Sequence, residues 1–161
     1  MAMNTIGNKN ITVEEIEYLD HVLEKLHRAK DTLNYSFGIC KQIGVRDSYE
    51  ENETDRLESL SSKFARLSDL ILKQVFKTID MLDLEEPAET MRDTINRAEK
   101  KGLISAALVF IQIKKMRNKI SHEYVEPEDL LEIYKFVLEY TPALFDAVER
   151  IDIYCRKFKT G

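Results

Sequence analysis

Residues 55–83 read DRLESLSSKFARLSDLILKQVFKTIDMLD. Leu57, Leu60, Phe64, Leu67, Ile71, Val75, Ile79 and Leu82 recur there at steps of three and four, with polar residues between them. A turn of 3.6 residues gathers such positions on one face, so the stretch predicts a long amphipathic helix. A half-buried strand needs alternation with period two, and no part of the chain alternates for long.

The same spacing extends in both directions. Ile16, Leu19, Leu23, Leu26, Leu33, Phe37 and Cys40 predict a first helix over 12–43, opened by a Thr12/Glu15 capping box and closed by Gly44. Residues 45–54 (VRDSYEENET) read as an acidic loop, and residues 1–11 as a flexible lead. Pro87 suits the first turn of a third helix, which should end at Lys100-Lys101-Gly102. Ser105 is placed to cap a fourth helix carrying Leu108, Ile111, Met116 and Ile120. A fifth starts at Pro127 with Glu128 and Asp129 in its first turn, and Pro142 predicts a kink, or a restart capped by Thr141. The expected architecture is all-α: one domain over 1–161, an antiparallel bundle of about five helices. The stripes on the first two helices are long enough to bury a dimer interface as well.

Composition agrees with this reading. The 161 residues suit one domain, 43% are hydrophobic and 33% charged, and there are five Gly and three Pro. No apolar run approaches the roughly 18 residues that cross a membrane, and Met1–Asn10 shows no signal-peptide core, so a cytoplasmic protein is expected. Cys40 and Cys155 have no CxxC or Cys/His companions and read as free thiols packed in the core. No phosphate-binding glycine loop, nucleophile elbow or HExxH string occurs, and no metal or cofactor is expected. His21 and His27 read as surface or boundary positions on the first helix.

The net charge of −5 argues against a nucleic-acid binder only while it is taken as a single number. Between 96 and 119, seven basic residues (Arg97, Lys100, Lys101, Lys114, Lys115, Arg117, Lys119) meet one acid, Glu99, for a local +6. The flanks are acidic: 80–93 sums to −5 and 126–139 to −4. A basic patch of this kind can hold phosphate, with Lys114, Lys115 and Lys119 as candidate contacts. It runs into Arg117-Asn118-Lys119-Ile120-Ser121-His122-Glu123-Tyr124. Asn118 and His122 are four apart and share a helical face. Arg117 and His122 are about 140° apart around a regular helix. For both to reach one phosphate, the helix must loosen near His122, or Arg117 must wrap around, or two chains must each supply one of the pair.

Arg-x4-His-x-Tyr, here Arg117, His122 and Tyr124 with Asn118 after the arginine, resembles the signature of the HEPN superfamily, small all-helical proteins that include metal-independent ribonucleases. The similar layout runs from about Phe64 to Leu144, through Arg97-Ala98-Glu99-Lys100-Lys101-Gly102-Leu103-Ile104. Two subgroups are similar. In the HEPN toxin of HEPN/MNT toxin–antitoxin pairs, the Arg and His cleave RNA, and the Tyr is the position that the partner, a minimal nucleotidyltransferase, can modify with AMP. In the substrate-binding subunit of two-component nucleotidyltransferases, an Arg-Asn-x3-His-x-Tyr string also occurs, and Lys101-Gly102-Leu103-Ile104 looks more like that subgroup. The resemblance implies Arg117 and His122 as catalytic residues and Tyr124 as the modification site. It implies RNA as substrate and a nucleotidyltransferase as partner.

The chemistry fits those residue types. RNA supplies its own nucleophile, the 2′-OH beside the scissile phosphate. A histidine near pKa 6.5 can move the proton, and an arginine can hold the phosphate oxygens bidentately. Asn118 is placed to orient His122 or to donate to the phosphate. Cleavage wants both a base and an acid, and a two-fold homodimer would bring two copies of His122 into one cleft.

Overall fold

The computed structural model describes residues 11–121 and 126–159. Among these, every regular element is helical: α1 (Val13–Ile43), α2 (Glu51–Asp69), a π-helical segment (Leu70–Val75), α3 (Phe76–Leu82), α4 (Met91–Lys101), α5 (Ala107–Ile120) and α6 (Pro127–Lys159). α2, the π segment and α3 follow one another without a break, so the described residues form five rods. α1 and α6 run antiparallel. As α1 advances through Asp20, His27 and Phe37, its partners on α6 retreat through Lys159, Asp152 and Phe145. α1 is likewise antiparallel to the second rod: Lys25, Ser36 and Cys40 meet Gln74, Lys63 and Arg56. α5 is antiparallel to α6, with Gln112 on Tyr140 and Lys119 on Glu132.

Local chemistry accounts for the helix ends. Thr12 Oγ1 accepts from the Glu15 amide while Glu15 Oε1 accepts from the Thr12 amide, so the expected capping box is formed. Gly44 closes α1 at φ +76° and Gly102 closes α4 at φ +80°, a region glycine enters without a Cβ clash. Three expected starts are displaced. α2 begins at Glu51, inside the expected acidic loop, because Glu50 and Glu53 form their own capping box. α4 begins at Met91 rather than near Pro87, because the Thr90 hydroxyl accepts from the Asp93 amide. α5 is preceded by Ala106 and not capped by Ser105. Glu99 Oε2 reaches across from α4 to accept from the Ala107 amide at 2.7 Å. α6 does not restart at Pro142: the helix is continuous, and the Thr141 hydroxyl donates to the Val137 carbonyl at 2.7 Å. Ile11, within the expected flexible lead, packs half-buried against the core.

All eight stripe residues of 57–82 are buried, and Leu19, Leu23, Leu26, Leu33 and Cys40 of α1 join them. These stripe positions are covered within one chain, while Ile16 and Phe37 of α1 are half-buried. Leu67, Ile71, Val75 and Ile79 are spaced four apart, which would carry the stripe about 120° around a regular α-helix over three steps. The π turn, with its i→i+5 bonding, absorbs that drift and keeps the four side chains inward. Leu108, expected inward on α5, is instead 73% exposed; Phe110, Ile111, Ile113 and Met116 form the packed face. Both cysteines are free and buried, as expected. No described helix is long and apolar enough to cross a membrane.

Candidate functional site

Arg117 sits in the last turn of α5, where its charge opposes the negative end of the helix dipole. Its guanidinium is only partly open, and α2 closes one side of it. Nε meets Asp69 Oδ1 and Nη2 meets Asp69 Oδ2, so the carboxylate spans one edge of the fork. Asp69 is the last residue of α2, at the junction with the π segment. Lys73, one turn on, lies 3.5 Å from Asp69 Oδ1. On the other side, Arg117 Nη1 donates to Ser121 Oγ at 3.2 Å and points at Asn118 Oδ1 at 3.5 Å. Ser121, the residue that ends α5, donates in turn to the Asn118 carbonyl at 2.9 Å. A guanidinium presents its N–H donors along more than one edge. Asp69 covers the Nε/Nη2 edge, and Ser121 and Asn118 take up Nη1, so an anion approaching the outer side competes with two neutral acceptors rather than with a carboxylate.

Arg117 and Asn118 are thus held together at the exposed end of α5. His122 and Tyr124, the other two residues of the motif, lie outside the described residues. Asp69 was not visible as a site residue: it is 48 positions from Arg117, and nothing local distinguishes it from the other acids of that rod.

The structure separates the seven cations of the basic segment by what they meet. Lys101 is 12% exposed and reaches Asp80 at 2.7 Å, Asp83 at 2.9 Å and Glu85 at 3.5 Å. Arg97 meets Asp80 at 3.0 Å, Glu85 at 3.1 Å and the Glu86 carbonyl. Tyr154 and Lys157 of α6 close this cluster on Asp83. Burial pushes the Asp83 carboxyl up, but hydrogen bonds from Tyr154, Lys157 and Lys101 outweigh it and hold the group below its usual range. Burial pulls Lys101 down, and its hydrogen bonds to Asp80 and Asp83 outweigh that and hold it high. Lys119 is bound by Glu132 at 3.0 Å and Asp129 at 3.1 Å, and those hydrogen bonds, Glu132 first, raise its pKa. Much of the +6 therefore neutralises the acidic flanks inside the fold. Lys100, Lys114 and Lys115 have no ion-pair partner among the described residues.

His27 is exposed, as expected, and both carboxylate oxygens of Asp152 approach its Nε2, at 2.8 and 2.9 Å. This pair clips α1 to α6 and lies apart from Arg117 in the fold. Among the described residues, no three His, Cys, Asp or Glu side chains gather in a way that could hold a metal ion. No protein-family model and no curated protein matches the chain.

Proposed function

We propose that this protein is an endoribonuclease of the HEPN type, acting as the toxin of a toxin–antitoxin pair and restrained by a partner nucleotidyltransferase. The supporting observation is the fixed guanidinium of Arg117: Asp69 clamps one side of it, while its Nη1 end meets only the neutral side chains of Ser121 and exposed Asn118, which an anion can displace, at the helix end that leads into His122. A preorganised donor pair of this kind loses little freedom on meeting a phosphodiester, and it stabilises the charge that grows on the phosphorus oxygens. In this mechanism His122 takes the proton of the 2′-OH, the 2′-oxygen attacks the phosphorus, and the 5′-oxygen leaves with a proton from a second acid. The His122 of a second copy supplies that acid in a homodimer. AMP placed on Tyr124, seven residues after Arg117, adds bulk and negative charge to the motif and opposes RNA binding.

The purified chain should cut single-stranded RNA in the presence of a chelator, and His122→Ala should abolish the cut. Full-rate cleavage by that variant would remove the assignment. Sedimentation should give a dimer. Co-expression with a minimal nucleotidyltransferase, the partner this reading requires, should add the mass of AMP to Tyr124.

The string Lys101-Gly102-Leu103-Ile104 does not favour the alternative, a non-catalytic subunit of a two-component nucleotidyltransferase. Lys101 is engaged by three carboxylates, Gly102 is a helix cap, and Leu103 and Ile104 are each 1% exposed. Their roles here are explained by folding. Tight assembly with a nucleotidyltransferase and no RNA cleavage would decide for the alternative.

A further inference from the structure

We infer that Arg92, Lys114 and Lys115 form a subsite for an RNA backbone phosphate, one helical turn away from Arg117. This rests on the reading of RNA as the substrate. The three side chains line a cavity of about 100 Å³ between α4 and α5, and its remaining walls are Ile95 and Ile111. Ile95 is fully buried and Ile111 nearly so, so the floor is apolar and the rim cationic. No carboxylate lines it. None of the three cations has a hydrogen bond or ion pair among the described residues, in contrast to Arg97, Lys101, Arg117 and Lys119. Three like charges around one small apolar hollow repel one another. Such an arrangement lowers its energy by taking up a compact anion, and the low-dielectric floor strengthens the attraction.

Position selects a polyanionic strand. Lys114 is three residues before Arg117, and Lys115 three before Asn118, so each pair is adjacent on α5. The rise between them is about 4.5 Å. A strand with a phosphate on the outer side of Arg117 therefore has another phosphate within reach of the cavity. Arg92 comes from the acidic 80–93 stretch, so charge summed along the chain hides it; α4 carries it to the basic residues of α5.

The test is binding of a fluorescent 2′-O-methyl RNA single strand, whose blocked 2′-oxygen prevents cleavage. Arg92→Gln, Lys114→Gln and Lys115→Gln together should weaken binding roughly tenfold or more at low salt. They should also flatten the dependence of log affinity on log salt by about 0.7 for each phosphate the protein no longer neutralises. A triple variant with the same change of charge elsewhere, Arg28→Gln, Lys41→Gln and Lys77→Gln, should bind like the parent. Circular dichroism melting should show both triples folded, and Lys115→Gln alone should show part of the weakening. Equal affinity of the first triple and the parent, equal weakening in both triples, no binding by the parent, or equally tight competition by poly-glutamate would each overturn the subsite. The ribonuclease reading is tested separately on unmodified RNA. Weakened binding in the first triple with no cleavage by the parent leaves the subsite and removes the nuclease. Cleavage by the parent with binding intact in the triple removes the subsite alone.

Discussion

Asp69 and Arg117 face each other across 48 positions of sequence, one carboxylate oxygen on Nε and the other on Nη2. The pair ties the end of α2 to the end of α5 and aims the motif arginine. Asp69→Ala should therefore lower stability by about 1–3 kcal/mol in chemical denaturation, the usual cost of losing a hydrogen bond between charged groups. Arg117→Lys should not restore either stability or the proposed RNA cleavage, because an ammonium cannot meet both oxygens of Asp69 and still donate on the opposite side.

The π segment makes a deletion prediction. Removing exposed Lys73 shortens the Leu67–Ile71–Val75–Ile79 spacing toward that of an α-helix, so the stripe stays inward. Thermal unfolding should remain cooperative with a small loss of stability. Removing exposed Arg66, within regular α2, rotates everything beyond it by about 100° and should abolish cooperative unfolding.

Leu84 is the one non-glycine residue at positive φ among those described, at +60°. It ends α3 in a Schellman arrangement: its amide donates to the Met81 carbonyl at 3.1 Å and the Glu85 amide to the Asp80 carbonyl at 2.9 Å. The side chain is 56% exposed, so little packing compensates the strained backbone. Leu84→Gly should raise stability by about 0.5–1 kcal/mol in urea titration, against the usual sign for introducing glycine.

Tyr134 is 2% exposed and its hydroxyl has no hydrogen-bond partner among the described residues. Burial, with Glu58 and Tyr49 nearby, pushes its pKa up to about 12. The ring packs edge-on against Tyr49 at 5.9 Å and would do so equally as phenylalanine. Tyr134→Phe should be neutral or stabilising by about 1 kcal/mol on melting, since it removes a buried polar group that forms no bond.

The Asp83–Lys101 cluster fixes the pH limits. Asp83 has a lowered pKa in the folded state, so its contribution is present above the unfolded value near 3.9 and is lost as pH falls through the folded value. Lys101 has a raised pKa, so its contribution is present below about 10.4 and is lost as pH rises through the folded value. Stability should be level near neutrality and fall below about pH 4, with a second decline above about pH 10.4. Asp83→Asn should flatten the acid decline in melts followed across pH.

Much of the fold was legible because helix period and capping are local. Residues Leu57 to Leu82 announce their common face by spacing, and Thr12 with Glu15 announces a helix start. The displaced starts have two causes: local caps that outcompete the expected ones, Glu50 with Glu53 and Thr90 with Asp93, and a group from another helix. Ser105 looked like a cap, but Glu99 from the previous helix does that work at Ala107. The four-residue spacing from Leu67 to Ile79 was already too wide for an α-helix, and the π turn is its consequence.

The sequence by itself determined an all-helical chain and the presence of Arg117 and Asn118 together at a helix end, since both follow from short-range periodicity. It also showed a basic segment between acidic ones. Only the tertiary structure decided what those charges do, because Coulomb attraction acts through space and not along the chain. Folding sets Asp80, Asp83 and Glu85 against Lys101 and Arg97, and Asp129 and Glu132 against Lys119. It sets Asp69 against Arg117 and leaves Arg92, Lys114 and Lys115 around one apolar hollow.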